Sequence, residues 1–212
     1  MKYIQKGSEP EEFATWKSIQ RNVGVNCNYK SLQNPEKNLV HESLLSEQGL
    51  ICCYCCDRIS KNGSHIEHLN AQSENDDDSS IDYNNMLASC RSSERWPKHC
   101  GNKKGKNQIE ITPLQVDCED FFAYSVSGKI VAASELSQLE AEKAIATIDI
   151  LGLNDRDLEQ SRKRAWEALQ GITDEEAQKI AQACQQKNSQ GQYRPFANAV
   201  LSYLQQLFRI QV

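Results

Sequence analysis

Residues 49–60 read "GLICCYCCDRIS" and place thiols at Cys52, Cys53, Cys55 and Cys56. Two C-x-x-C pairs interleave here, Cys52 with Cys55 and Cys53 with Cys56. Either pair can chelate zinc from one turn, because zinc takes four soft or borderline ligands in a tetrahedron. The nearest later thiols are Cys90 and Cys100. One of the two pairs and these two cysteines make a closed four-cysteine site across two chain segments. Such a site supplies folding energy to a region short of apolar residues. Cys27, Cys118 and Cys184 stand apart and read as small buried hydrophobes. The opening "MKYIQKGSEPEEF" has no apolar core and no cleavage-site pattern, so secretion is not expected. In a cytoplasmic chain, clustered cysteines signal metal or redox work more than disulfides.

The 212 residues fit one ordinary domain or two small ones. No apolar run approaches the roughly 18 residues of a membrane span. The formal charge of -5 argues weakly against nucleic acid, yet the average hides a local reversal. In "RSSERWPKHCGNKKGK" (residues 91–106), Arg91, Arg95, Lys98, Lys103, Lys104 and Lys106 oppose Glu94 alone. A focused basic patch in an acidic protein points to phosphate.

Composition divides the chain into 1–48, 49–132 and 133–212, and the pattern predicts a mostly helical α+β fold. In the first part, Ser8 and Glu11 fit a capping box with Pro10 in the first turn. Asn34-Pro35 opens a second helix with an apolar stripe of Leu39, Val40, Leu44 and Leu45, stopped at Gly49. The middle part is rich in cysteine and turns. "KNGS" (61–64) predicts a hairpin between "DRIS" and "HIEHL". "SENDDDSSID" reads as a solvated loop, since Ile81 and Leu87 stand where an EF-hand requires Gly and Glu. "NNMLASC" reads as a possible helix start. "IEITPLQV" and "DFFAYSVSGKIVAA" read as strands, with a turn at Ser127-Gly128. The last part is helical, with stops at Gly152 and Gly171, a capping box at Thr173 and Glu176, and a final apolar helix after Pro195. Leu201, Tyr203, Leu204, Leu207 and Phe208 in that helix suit either core or a partner surface.

Between the cysteine pairs lies "HIEHLNAQ", which sets His65, Glu67 and His68 within four positions. His41, alone on a helix, is taken as inert. A zinc protease needs H-E-x-x-H, and this spacing differs. A zinc deaminase has H-x-E, but its cysteine pair follows that motif, whereas here it precedes. Metal-assisted phosphodiester hydrolysis needs an imidazole base, a hard divalent ion, a residue fixing the imidazole and cations for the nucleic-acid backbone. His68, Glu67, an asparagine of "YNNML" and the basic patch supply these.

Taken together, "CCYC", "HIEH", "DYNNMLASC" and "HCGNKKGK" resemble the HNH endonucleases of the His-Me finger type. More narrowly, these stretches and "IDILGLNDRDL" resemble the HNH protein of Septu and retron-associated antiphage systems, the PtuB family, over roughly residues 49–158. The resemblance implies a zinc-clipped ββα-metal core between an N-terminal helical arm and a C-terminal helical bundle that suits partner binding. It implies His68 as general base and Glu67 as ligand of a catalytic Mg2+ or Mn2+. Asn85, in preference to Asn84, would orient the His68 ring. His99 or Asn102 would complete the metal site, because Gly101 stands where the family usually has Asn. His65 shares a strand face with Glu67 and stands as metal ligand or as support. In the family an aromatic residue directly precedes the second cysteine of the pair. Tyr54-Cys55 matches, so Cys52, Cys55, Cys90 and Cys100 are the implied zinc ligands, with Cys53 and Cys56 as bystanders.

The resemblance further implies a cytoplasmic bacterial nuclease acting in antiphage defence with an ABC/SMC-like ATPase, in some systems beside a retron reverse transcriptase and its msDNA. DNA is the favoured substrate, with RNA or tRNA the other option. The alternative from another class is a non-catalytic zinc-binding nucleic-acid adaptor. It shares the clip and the basic patch but has no need of Glu67, His68 and Asn85.

Overall fold

The computed structural model describes residues 1–24, 26–71, 77–90 and 99–208. In chain order the elements are α1 (Glu11–Asn22), α2 (Glu36–Glu47), β1 (Ser64–His68), a short α3 (Asp77–Ser80), a 3-10 turn (Tyr83–Asn85) and β2 (Met86–Cys90). There follow the one-turn α4 (Gly101–Lys104), β3 (Phe122–Tyr124), β4 (Ile130–Ala132), α5 (Gln138–Leu151), α6 (Arg156–Glu167), α7 (Asp174–Gln185) and α8 (Ala197–Phe208). The fold is mixed α+β and mostly helical, as the pattern predicted, with two small antiparallel sheets, β1–β2 and β3–β4.

Helix α2 buries Val40, Leu44 and Leu45 of the expected stripe, with Leu39 half-buried, and the chain leaves it through Gly49 at φ 59. Helix α1 starts one residue after Pro10, and the expected Ser8–Glu11 box does not form. Pro10 is itself the N-cap, so Glu11 sits in the first helical position, too early to reach back. In the C-terminal part Ser137–Glu140 and Thr173–Glu176 close full capping boxes on α5 and α7. Gly152, at φ 61, ends α5 in the left-handed conformation that costs glycine least.

The sheet that carries the motifs differs from the expected hairpin. Residues 60–63 do turn, with the Gly63 N–H donating to the Ser60 carbonyl at 3.0 Å. The strand that follows pairs not with "DRIS" but with residues 86–90, in the register His65↔Ser89, Glu67↔Leu87 and His68↔Met86. "MLASC" is therefore a strand rather than the start of a helix. The "DRIS" segment keeps a single bridge, Ile51↔Arg58. Gln48, buried just beyond α2, supports β2 like a missing strand. Its amide donates to the carbonyls of Ala88 (2.8 Å) and Ile51 (2.9 Å), and its Oε1 accepts from the Ala88 N–H (2.7 Å). "IEITPLQV" forms no strand; Pro113 lies in it, and the Pro113 carbonyl accepts from Ile4 N–H at 2.8 Å. The β3–β4 hairpin forms as expected and is stapled to α6 by buried Arg162, whose guanidinium donates to the carbonyls of Gly128 (2.6 Å) and Leu153 (2.7 Å).

The buried core runs from Met1, Ile4 and Phe13 through the cysteine segment and β2 to Val200, Tyr203 and Leu204 on α8. Cys100 belongs to it, and its N–H donates to the carbonyl of Leu151 at the end of α5 (2.7 Å). The start of α4 is thereby fixed to the C-terminal helices. No helix among the described residues is long and apolar enough to cross a membrane.

Candidate metal centre and catalytic cleft

Two sites adjoin on the β1–β2 sheet, linked by Ser89, whose Oγ lies 3.8 Å from Cys52 Sγ and accepts from the Gly101 N–H at 3.2 Å. The first is the sulfur cluster. Cys52, Cys55, Cys90 and Cys100 bring their sulfurs within 4.8 Å of one another, with Cys55 Sγ and Cys90 Sγ 4.0 Å apart. Four sulfurs about 2.3 Å from a tetrahedral zinc lie about 3.8 Å apart, so the cluster has the dimensions for such an ion. The 52/55 register of the two open pairs is the one that reaches the cluster. Cys53 and Cys56 are also buried but stay outside it. The Cys53 N–H donates to Ala88 O on β2 (3.1 Å). The Cys56 N–H donates to Cys52 O (3.0 Å) at a left-handed φ of 61, which closes the knuckle. Burial pushes the Cys52 thiol up, but contacts from Cys100, Cys53, Cys55 and Cys90 outweigh it and hold Cys52 well below the usual thiol range. The Cys90 N–H, 3.3 Å from Cys52 Sγ, is a further donor to that sulfur. A buried thiolate among thiols is the state that a soft cation requires.

The second site is the end of β1. Period-two alternation sends His65 and Glu67 to one face and His68 to the other. The Glu67 carboxylate is buried and divided in its partners. Oε1 takes Lys104 Nζ at 3.0 Å and the Tyr54 hydroxyl at 3.2 Å, while Oε2 lies 3.4 Å from His65 Nε2. Burial alone would raise the Glu67 carboxyl; His65 and Lys104 overcome this and hold it below its ordinary value. His65 Nδ1 is buried and has no hydrogen-bond partner among the described residues. Gly101 closes over this pair. A Cβ at Gly101 would lie 2.3 Å from Glu67 Oε2 and 2.9 Å from His65 Nε2. A carboxylate oxygen, an imidazole nitrogen 3.4 Å from it and a backbone with no side chain in the way make a cradle of the kind a hard or borderline cation fits.

His68 is 9% exposed, and its ring is held from two sides. Nε2 lies 2.9 Å from the Ser80 carbonyl, and the Tyr29 ring meets it edge-on with centroids 4.7 Å apart. A carbonyl can only accept, so Nε2 carries the proton and Nδ1 is the basic nitrogen. Burial lowers the His68 pKa and favours the neutral ring. Asn85 works through backbone. Its Oδ1 accepts from Asn70 N–H (2.8 Å), and its Nδ2 donates to the carbonyls of Asn70 and Ser79 (both 3.1 Å). It thus joins the chain leaving His68 to the segment whose next carbonyl, Ser80, receives the ring. Asn84 is exposed.

The remaining candidates separate. His99 faces the sulfurs, with Nδ1 3.2 Å from Cys100 Sγ and 3.5 Å from Cys90 Sγ, and Asn102 is exposed. Of the two open partners for Glu67, neither meets it here; His65 does. Lys103 and Lys106 are exposed, whereas Lys104 is 1% exposed and donates to Glu67 and to the His68 carbonyl (2.9 Å). Arg91, Arg95 and Lys98 lie outside the described residues. The residues that sequence reasoning missed are Tyr29, Tyr54 and Ser80. A tyrosine flanked by two cysteines gave a signal for the clip but none for its hydroxyl.

No family model matches the chain. A Vibrio cholerae (serotype O1 biovar El Tor) protein named "Retron Vc95 putative HNH endonuclease" is 30% identical over 135 residues, covering 63% of this chain and 66% of the relative. The match therefore spans a little under two thirds of that relative's length.

Proposed function

We propose, for a chain similar to a retron-associated HNH endonuclease, that it is itself a metal-dependent HNH endonuclease hydrolysing nucleic-acid phosphodiesters, with DNA the favoured substrate. The observation that carries this reading is the end of β1. There Glu67 and His68 stand side by side on opposite faces, with the His68 ring fixed by the Ser80 carbonyl. Nδ1 of His68 is the group to take a proton from the attacking water. Asn85 holds the backbone on which the ring's position depends. Glu67, through Oε2, and His65 are the residues that would hold a catalytic Mg2+ or Mn2+. When bound, such an ion supplies Lewis-acid stabilisation of the charge that builds on the phosphate and leaving oxygen. Cys52, Cys55, Cys90 and Cys100 would hold a structural zinc, and His99 packs on that cluster. Lys103 and Lys106, continued by Arg91, Arg95 and Lys98 in sequence, would track the phosphate backbone. By likeness to systems of this kind, the enzyme would serve antiphage defence in the cytoplasm, beside an ABC/SMC-like ATPase that brings it to its substrate.

The test is cleavage of plasmid DNA and of tRNA with Mg2+ or Mn2+, by the wild type and by His68→Ala, alone and with an ABC/SMC-like ATPase as the proposed partner. Cleavage by the wild type and its loss in a folded, zinc-loaded His68→Ala variant is the expected result. A folded, zinc-loaded wild type that cuts neither substrate under any of these conditions returns the chain to the adaptor class.

A further inference from the structure

Lys104 sits in a run of lysines that the sequence assigns to nucleic acid, yet its ammonium is sealed inside the protein. It contacts Glu67 Oε1 at 3.0 Å and the His68 carbonyl at 2.9 Å, and so bridges the two residues on which the proposed chemistry depends. The cradle offers a cation one carboxylate oxygen and one imidazole. An imidazole that ligates a metal does so uncharged. The negative charge of Glu67 is already matched by Lys104, so the touching charged groups sum to zero. A divalent ion entering here gains ligands but little net attraction, and it meets an ammonium that burial prevents from turning away. A phosphate group arriving with the ion would supply the missing negative charge and a further oxygen ligand.

We propose that Lys104 is a positioning residue that keeps the cradle close to neutral, so that the catalytic ion is held firmly only together with a nucleic-acid phosphate. The inference rests on the reading of Glu67 and His65 as the ion's ligands. Its consequence is mutual. If nucleic acid tightens the ion, the ion tightens nucleic acid by the same factor. In the absence of substrate the centre is largely empty of its catalytic ion, and metal and substrate become a joint requirement.

The experiment measures Mn2+ affinity by electron paramagnetic resonance and calorimetry on the full-length, zinc-loaded protein. The His68→Ala background prevents cutting, and the probes are a 5′-phosphorylated DNA 12-mer duplex and an RNA of the same length. In His68→Ala, Mn2+ alone binds weakly, and one of the oligonucleotides tightens it by about tenfold or more. Adding Lys104→Met or the near-isosteric Lys104→Gln tightens Mn2+ in the absence of nucleic acid by about tenfold or more and shrinks the coupling below about threefold. Lys104→Arg keeps the charge and keeps the coupling. Tyr54→Phe removes a bond to the same carboxylate oxygen without changing charge and leaves the Mn2+ affinity where it was. A merely structural Lys104 would give weaker or unchanged Mn2+ binding in folded Lys104→Gln, and that result overturns the proposal. So does Tyr54→Phe matching Lys104→Gln, since charge would then not be the cause. Cleavage of the same oligonucleotides by the wild type tests the nuclease reading separately from these binding measurements.

Discussion

Gly101→Ala changes the molecule by one methyl group at the point where both halves of the cradle meet. The added Cβ would stand 2.3 Å from Glu67 Oε2, where ordinary contact begins at 3.4 Å, so the carboxylate must retreat by about 1 Å. It has little room to do so. Lys104 and Tyr54 hold its other oxygen, and His65 Nε2 is itself 2.9 Å from the new atom. Overpacking of this kind costs about 1–3 kcal/mol. Alanine in a helical turn recovers about 1 kcal/mol relative to glycine. A net loss of up to about 2 kcal/mol follows, at roughly 2–4 °C of melting temperature per kcal/mol in a chain of this size. Function should suffer far more than stability. A displacement of about 1 Å in a catalytic ligand costs about 100-fold in rate. The assay is steady-state cleavage with Mn2+, read beside zinc content and thermal melting. Zinc should stay, because Cys100 need not move. A folded Gly101→Ala enzyme within about threefold of the wild type would refute the reasoning. Gly101→Asn, which installs the residue usual in the family, should be no better, since His65 and Glu67 already fill its space.

Three further outcomes follow from the geometry. The double variant Cys53→Ser/Cys56→Ser should keep about one zinc per chain by native mass spectrometry, whereas Cys52→Ser should lose it and with it the fold of the core; zinc loss in the double variant would contradict the sulfur geometry. Because burial depresses His68, its neutral, basic form persists below the ordinary value of about 6.5, so the acid limb of the cleavage rate should lie under that pH. The same sign makes its contribution to stability complete above about pH 6.5 and lost as the pH falls, and a limb at or above 6.5 would assign the proton transfer to another group. Gln48→Ala leaves the Ala88 N–H and the Ile51 carbonyl without their side-chain partners in the core, at roughly 1–3 kcal/mol for each group left unpaired. Urea denaturation should show a loss of about 3 kcal/mol, and a loss under about 1 kcal/mol would mean that water replaces the amide.

The sequence was most legible where chemistry fixes spacing. The choice of Cys52 and Cys55 over Cys53 and Cys56 needed the family's aromatic position, and the cluster takes that register. The stop at Gly152 and the Thr173–Glu176 cap were readable because capping is local, whereas α6 ends at Glu167, short of the expected stop at Gly171. What could not be read depended on distant partners. "NNMLASC" opens like a helix cap, but pairing with residues 64–68 makes its second half a strand. The Asn-Gly turn formed, yet no local signal says that the strand after it skips "DRIS" for a segment some 20 residues on. Lys104 was indistinguishable from Lys103 and Lys106 as letters. One turn of helix from Gly101 puts it on the face toward Glu67, and that is decided only once β1 lies beneath α4. His41, read as inert, lies with Nε2 2.9 Å from Ser64 Oγ at the head of β1, a contact that no local signal announced.

The hydrogen bond from the Cys100 amide to the Leu151 carbonyl bears on how such a protein could be rebuilt. Residues 49–132 contain every candidate ligand and base, and would be the obvious fragment to lift out and graft onto another carrier. Cut there, the fragment loses the acceptor that fixes its fourth sulfur, along with the α5 terminus where Gly152 lies against the Lys103 side chain. The motif-bearing segment is thus not a cassette. Its last cysteine is anchored from outside the motif, and recombination that swaps the helical half must bring a carbonyl to the same place.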